Sequence, residues 1–122
     1  MRKSLTAIGV ATAALAISGG IATQAMAHAM LVSTTPAKGS TVTALPPFVK
    51  IRFDEALASV NSVQLKDAKG VDHVVTAGLD PKNAAVIVAK TTKSAAGRYT
   101  ATYKVTCDDG HRMTGTFTFR VK

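Results

Sequence analysis

The chain has 122 residues, with 15 lysines and arginines against 7 aspartates and glutamates, a formal net charge of +8 and a single cysteine. One cysteine excludes an intramolecular disulfide framework. The lysines are scattered, with no run of five or six like charges, so we interpret the positive balance as solvated surface and expect no nucleic-acid partner.

The first part of the chain has the three parts of a secretory signal peptide. A basic head, MRK, precedes an apolar run over residues 5–16, and the small residues of Ala25-Met26-Ala27 form an A-x-A exit. The apolar run is shorter than the roughly 20 residues that a membrane span requires. We therefore expect a cleaved leader over residues 1–27, rather than the alternative of a retained N-terminal anchor.

Cleavage after Ala27 leaves residues 28–122 as one small domain that begins with His28. Its net charge is +6, because the leader holds two of the basic residues and none of the acidic ones. A second A-x-A exit, Ala27-His28-Ala29, overlaps the first, and its use would remove this histidine. We expect the first exit to be used, with no stable membrane insertion of the exported chain.

Seven short runs after residue 28 have the patterns of β-strands. FVKIRF, SVQLKD and TFTFRVK alternate with a period of two, which indicates one buried face, and AAVIVAK is a continuous apolar run suited to a buried strand. AMLVSTTP, DHVVTAG and RYTATYKVT complete the set, with turn residues between the runs. The spacing predicts an all-β domain, either an antiparallel β-sandwich or a Greek-key barrel.

Few side chains in this sequence are candidates for catalysis or metal binding. The sequence has no glycine-rich phosphate loop, no C-x-x-C and no H-E-x-x-H, and we assign no catalytic residue. The segment CDDGHRMTG contains Asp109 and His111, which project from one face of an extended chain because they are two residues apart. A carboxylate and an imidazole side by side are an incomplete ligand set for a transition metal. Without further donors, such a pair is more often a turn or an ordinary salt bridge than a metal site.

The further donors can come from the start of the exported chain. An N-terminal His28 offers two nitrogens, its α-amino group and its imidazole Nδ1, which close a chelate ring around one metal. The pKa of an α-amine, about 7.7–8, is low enough for a metal to displace its proton near neutrality. With His111 and Asp109 this makes three nitrogens and one oxygen, a set that favours Cu(II), with Ni(II) second and Zn(II) possible.

Three stretches resemble the CopC family of periplasmic copper-binding proteins. HAMLVSTTPAKGS is similar to the start of the mature family members, and IRFDEAL is similar to their L-x-F-S/D-E-x-L strand. AGRYTATYKVTCDDGHRMTGTFTFRV is similar to their closing motif, which contains D-G-H. The resemblance covers essentially the whole chain after residue 27, and the three motifs occur in the same order as in the family, with similar spacing between them.

The resemblance implies a seven-stranded, cupredoxin-like (immunoglobulin-like) Greek-key β-sandwich that holds one Cu(II). By position, the implied copper ligands are His28, Asp109 and His111. Glu55 matches a glutamate near the metal in the family, as a weak ligand or as a partner that orients a ligand. The alternative for Glu55 is a solvated strand end.

The same resemblance implies a role rather than a reaction. We expect a non-catalytic, monomeric copper carrier or buffer of the periplasm, in copper resistance or homeostasis. The implied partner is an inner-membrane copper transport protein of the CopD type.

The sequence also departs from the family. Some members have a second, Cu(I) site in a methionine-rich loop, but residues 56–76 contain no methionine, so we expect that site to be missing. We expect His73 to be a surface histidine, and Met30 and Met113 to be buried in strands. Cys107 stands where the family often has serine. We expect it to be a buried, non-ligating thiol, although its parity with Asp109 leaves a thiolate ligand as an alternative.

Two other classes of function compete with the copper carrier. Lytic polysaccharide monooxygenases also chelate copper with an N-terminal histidine, but they need an open coordination position and a broad substrate face that is often lined with aromatic residues. This chain has two tyrosines, four phenylalanines and no tryptophan. A metal-free adhesion or structural domain is the third possibility, and it leaves the coincidence of motifs unexplained.

Overall fold

The structure, a computed structural model, describes residues 29–93 and 95–122. Within these ranges it contains eight β-strands and no helix, which confirms the predicted all-β class. The strands are β1 (Leu31–Thr35), β2 (Thr41–Val42), β3 (Phe48–Phe53), β4 (Leu57–Lys66), β5 (Val74–Asp80), β6 (Asn83–Thr91), β7 (Gly97–Cys107) and β8 (Arg112–Val121). No helix in this part of the chain is long and apolar enough to cross a lipid bilayer.

The strand count differs from the expected seven by one short strand. β2 has only two residues, Thr41 and Val42, which pair in parallel with Arg120 and Val121 at the end of β8. Two residues are too few to show an alternation of period two, so the sequence pattern contains no signal for this strand.

The strands form two four-stranded sheets. Sheet A has the order β1-β3-β6-β5 and sheet B has the order β2-β8-β7-β4. All neighbours are antiparallel except β2 and β8. Only the β5–β6 and β7–β8 connections are hairpins within one sheet, and every other connection crosses to the opposite sheet, as in Greek-key sandwiches.

The core lies between the sheets, where strand alternation directs every second side chain. β7 shows this most clearly, since all its odd-numbered residues from Tyr99 to Cys107 are buried. Aromatic rings fill the core: Tyr99 and Phe119, cross-strand neighbours in sheet B, stack with centroids 5.6 Å apart. Phe53 of sheet A meets Tyr103 of sheet B edge to face at 5.5 Å across the core. Burial of these apolar side chains provides the main stabilisation of the fold.

Gly115 makes room in this core for a tyrosine. It pairs with Tyr103 across β7 and β8, and a Cβ atom at position 115 would overlap the Tyr103 phenol ring. Burial of the phenol raises the pKa of Tyr103 above its ordinary value. A glycine is therefore required here by close packing.

One end of the sandwich gathers segments that are distant in sequence, and we call it the β7–β8 end. There Met30, just before β1, donates its N–H to Asp54 Oδ1 at 2.6 Å and accepts from the Asp54 N–H at 2.9 Å. Leu57, at the start of β4, pairs with Cys107, at the end of β7. The start of β1, the β3–β4 link and the β7–β8 turn thus lie at the same end.

Candidate metal centre

The β7–β8 turn is closed by backbone hydrogen bonds at its base. The Gly110 N–H donates to the Cys107 carbonyl at 2.9 Å, and the Cys107 N–H donates to the His111 carbonyl at 2.8 Å. Gly110 has φ +85°, a left-handed conformation that costs glycine little and other residues more. The turn therefore holds the backbone of the D-x-H segment in one defined conformation.

Within this turn, Asp109 and His111 meet through both oxygens of the carboxylate. The His111 N–H donates to Asp109 Oδ1 at 2.9 Å, and the His111 Nδ1 lies 2.9 Å from Asp109 Oδ2. The imidazole side chain is 63% exposed and the carboxylate 26%. The two predicted ligands are thus adjacent, at the surface, and joined by the salt bridge that was the alternative interpretation of the motif.

The separation of these two atoms also fits a metal. Nitrogen and oxygen ligands bind divalent ions such as zinc at about 2.0–2.2 Å, so two ligands at a right angle lie about 2.8–3.1 Å apart. The observed Nδ1 to Oδ2 distance of 2.9 Å falls in that range. The spacing of these two atoms is therefore compatible with two ligands of one ion.

His28, the predicted chelating residue, lies outside the described residues. Its neighbour Ala29 is buried in the core, and Met30 is held by its two hydrogen bonds to Asp54. Residues 29–93 and 95–122 contain no group of three or more His, Cys, Asp or Glu side chains that would hold a metal. The complete predicted ligand set is therefore not present among these residues.

Glu55 lies in the three-residue link between β3 and β4, next to Asp54, and it is exposed. This places it at the β7–β8 end, because the link joins the end of β3 to the start of β4. The structure brings Glu55 to the same end as Asp109 and His111, in a surface position rather than in the turn itself.

Cys107 is buried, with 1% of its surface exposed, as expected for an interior thiol. It is the last residue of β7 and faces the core like Val105 and Tyr103. The chain then turns, so Asp109 and His111 are exposed although all three residues share parity. The turn therefore separates the thiol from the exposed carboxylate and imidazole.

His73 is not the surface histidine that the sequence analysis expected. It is only 8% exposed, its Nε2 lies 2.8 Å from Asp67 Oδ2, and its Nδ1 lies 3.1 Å from Thr92 Oγ1. Its ring also meets Tyr99 edge to face, with centroids 5.4 Å apart. The expectation was wrong because Asp67, at the start of the same β4–β5 link, and Thr92, after β6, satisfy both ring nitrogens and allow burial.

The contact with His73 also affects the pKa of Asp67. The hydrogen bond from His73 is the main cause that lowers the pKa of Asp67 below its ordinary value, and the N–H groups of Val71 and Lys69 add to it. This aspartate therefore closes the β4–β5 turn and fixes the histidine at once.

The expected burial of Met30 was also wrong, since this side chain is 65% exposed. Met30 precedes β1, which is an edge strand of sheet A, so one side of the strand has no neighbouring strand to cover it. Met113, on the inner face of β8, is partly buried against the core.

Comparisons with known proteins identify the family. Residues 31–122 match the CopC domain model. The chain is 32% identical over 108 residues to copper resistance protein C of Pseudomonas syringae pv. tomato, covering 80% of this chain and 83% of that protein. It is also 32% identical over 114 residues to copper resistance protein C of Escherichia coli, covering 84% and 88%.

Solved structures show the same relationship. CopC from Methylosinus trichosporium OB3b superposes with a TM-score of 0.70 at 26% identity, covering 78% of this chain and 94% of that one. PcoC, a methionine-rich copper resistance protein from Escherichia coli, superposes with a TM-score of 0.67 at 25% identity, covering 78% and 99%. The family model, the sequence identities and the shared fold together show that the chain belongs to the CopC family.

Proposed function

We propose that the chain is a periplasmic Cu(II)-binding protein that carries or buffers copper. One Cu(II) is held by the α-amino group and imidazole of His28, by Asp109 and by His111. The observation that carries this proposal is the 2.9 Å contact between His111 Nδ1 and Asp109 Oδ2, on an exposed turn closed by its own backbone hydrogen bonds.

Chain connectivity supports the part of His28. Consecutive Cα atoms are 3.8 Å apart, so His28 stands one residue before Ala29 and two before Met30, which is hydrogen-bonded at the β7–β8 end. An exported chain that starts at His28 therefore begins at the end of the sandwich that carries the β7–β8 turn.

The donor types support copper over other ions. Three nitrogens and a carboxylate oxygen suit the tetragonal coordination of Cu(II), and the Irving–Williams order places copper above nickel and zinc at such a site. A bound copper ion would take the place of the contact between His111 Nδ1 and Asp109 Oδ2, because both atoms would be its ligands. Glu55, exposed in the neighbouring link, is a weak ligand or orients a ligand from outside.

A carrier or buffer role is supported by the relatives, which are named copper resistance proteins. We propose that the chain works as a monomer without catalysing a reaction, and that it exchanges copper with an inner-membrane transport protein of the CopD type. The proposed leader over residues 1–27 would bring it to the periplasm.

The decisive test is the N-terminus of the exported protein. Intact mass should show a chain that begins at His28, and this protein should bind one Cu(II) with the electron paramagnetic resonance signature of mixed nitrogen and oxygen ligands. One glycine added before His28 removes the α-amino chelate, so copper affinity should fall by about 100-fold or more.

A glycine added after Lys122 is the matched control and should leave the affinity unchanged. Equal affinities for the two extended proteins would show that the α-amino group is not a ligand. An exported chain that begins at Met30 and binds copper equally well would remove His28 from the site altogether.

A further inference from the structure

The outer face of sheet B carries a set of positive charges that the proposed copper site does not use. Five basic side chains of β4, β7 and β8 are exposed on it, and we call this surface the cationic face: Lys66, Arg98, Lys104, Arg112 and Arg120. Between them lie short polar side chains, mostly threonines such as Thr100, Thr102 and Thr116.

Strand register collects these charges from distant parts of the sequence. In β7 and β8 the odd-numbered residues face the core, so the even-numbered ones face outward. Arg98 pairs with Arg120, Lys104 pairs with Thr114, and Arg112 pairs with Thr106. Lys66 of β4 lies opposite Thr100 of β7. In the sequence the same residues are separated, and their common face becomes visible only in the sheet.

The strands of sheet B contain no acidic residue. Six of the chain's seven acidic residues lie in turns and links, and Asp80 lies at the end of β5 in sheet A. The acidic residue that pairs with this face is Asp72, at its edge, through a β-bridge to Lys66. Arg98 and Arg120 are direct cross-strand neighbours, an arrangement that like charges make unfavourable. The face therefore has a one-sided positive field that an anionic surface would neutralise.

The composition of the face indicates which kind of anionic surface fits. Protein–protein interfaces rely on buried aromatic and apolar anchors. The large apolar side chains that are exposed in the described chain belong to sheet A and the segments flanking it: Met30, Leu31, Val32, Phe48, Val71 and Val75. None of these large exposed apolar side chains lies on the cationic face, which carries mainly charged and polar groups.

We propose that the cationic face adsorbs to the surface of a bilayer that contains anionic phospholipids, by electrostatic attraction and without insertion. Each lysine or arginine near such a surface contributes attraction that falls off within a Debye length. The face has the charge for this attraction and lacks the apolar side chains that insertion requires.

Sheet A provides a control set of three basic side chains, so that a triple variant there removes the same charge as a triple variant of the cationic face. Its outer face carries Lys50, Arg52 and Lys90, all exposed. Packed sheets lie about 10 Å apart, and side chains cover both outer faces. When sheet B lies on a membrane, the control charges are therefore farther from it than the Debye length of about 10 Å at 0.1 M salt.

The test measures co-sedimentation of the exported protein with vesicles of phosphatidylglycerol and phosphatidylcholine, against vesicles of phosphatidylcholine alone. We expect binding to the anionic vesicles only, and its loss when salt is raised. The triple variant Arg98→Gln, Lys104→Gln, Arg120→Gln should lower the partition coefficient by about 100-fold. The triple variant Lys50→Gln, Arg52→Gln, Lys90→Gln should lower it by less than about 10-fold.

Urea unfolding of both variants checks that the folds are intact, and the salt dependence of the unaltered protein tests the proposal without any substitution. Equal losses in the two triple variants would overturn the proposal, because net charge and not the cationic face would then govern binding. Absence of binding to the anionic vesicles would also overturn it. Binding to polyglutamate without binding to vesicles would assign the face to an acidic protein instead.

Discussion

Two histidine–aspartate pairs in this molecule have nearly the same contact and different surroundings. His73 lies 2.8 Å from Asp67 and His111 lies 2.9 Å from Asp109, in each case from a ring nitrogen to a carboxylate oxygen. The His73 side chain is 10% exposed, with its second nitrogen near Thr92 and its ring against Tyr99. The His111 side chain is 63% exposed, on a turn.

The difference shows that the pairing distance alone does not assign a role. Around His73, both nitrogens and one edge of the ring are engaged by the protein, so the pair joins three parts of the fold. Around His111, solvent reaches the ring and the carboxylate, so an ion can take the place of their mutual contact. The surroundings therefore separate a structural pair from a candidate metal centre.

The substitution His111→Ala tests whether the exposed pair binds copper, and it has the largest expected effect on copper affinity. Loss of an imidazole ligand should weaken Cu(II) binding by about 100-fold or more. The free energy of unfolding should change by less than about 0.5 kcal/mol, because the side chain is exposed. Isothermal titration with a competing chelator and urea unfolding measure the two quantities.

Glu55→Gln, at the same end of the sandwich, is a milder comparison and should change copper affinity by about 10-fold at most. If His111→Ala left copper affinity unaltered, the exposed pair would be a surface salt bridge and nothing more.

The substitution His73→Ala tests the buried pair, and it should lower the stability of the fold without changing copper affinity. Removal of the buried ring leaves Asp67 and Thr92 without their partner and opens space against Tyr99, so the free energy of unfolding should fall by about 2 kcal/mol. Cu(II) affinity of the folded variant should be unchanged. A large loss of copper affinity with no loss of stability would reverse the two roles.

The smallest expected effect is the pH dependence of the contribution that Asp67 makes to the stability of the fold. Its pKa is lowered in the folded chain, chiefly by the hydrogen bond from His73. A lowered carboxylate pKa stabilises the fold at pH values above the unfolded pKa, and this contribution is lost as pH falls through the folded pKa. The stability difference between the unaltered protein and Asp67→Asn should therefore shrink as pH falls below about 4.

Chemical unfolding across this pH range measures the difference. Repeating it in a His73→Ala background is the control, because without the ring the main cause of the shift is removed. A pH dependence that is equally strong in that background would mean that the backbone N–H groups, rather than His73, hold the carboxylate.

The structural features that were predicted correctly are those whose sequence pattern is local. The alternation in β3, β7 and β8 repeats over enough residues to fix which side chains are inside, and the two-residue spacing of Asp109 and His111 within one turn brings them together. The part of Glu55 in a metal site stays a prediction from the family resemblance, because nothing in its local sequence indicates a position at the β7–β8 end.

The features that were missed depend on contacts between distant segments. The burial of His73 depends on Thr92, which lies after β6, as well as on Asp67 in its own β4–β5 link. The short β2 exists only because the end of β8 is beside it. The cationic face depends on the register of three strands, so scattered basic residues gave no sign of it.

The meeting of the two chain regions at the β7–β8 end has a consequence for the metal-bound protein. The segment before β1 and the β7–β8 turn are neighbours in the fold but are separated by most of the domain in sequence. An ion that binds residues from both acts as a cross-link, and a cross-link that closes a loop of roughly 80 residues restricts the unfolded chain strongly. Bound copper would then raise the free energy of unfolding of the sandwich, and its release to a partner would lower that free energy again.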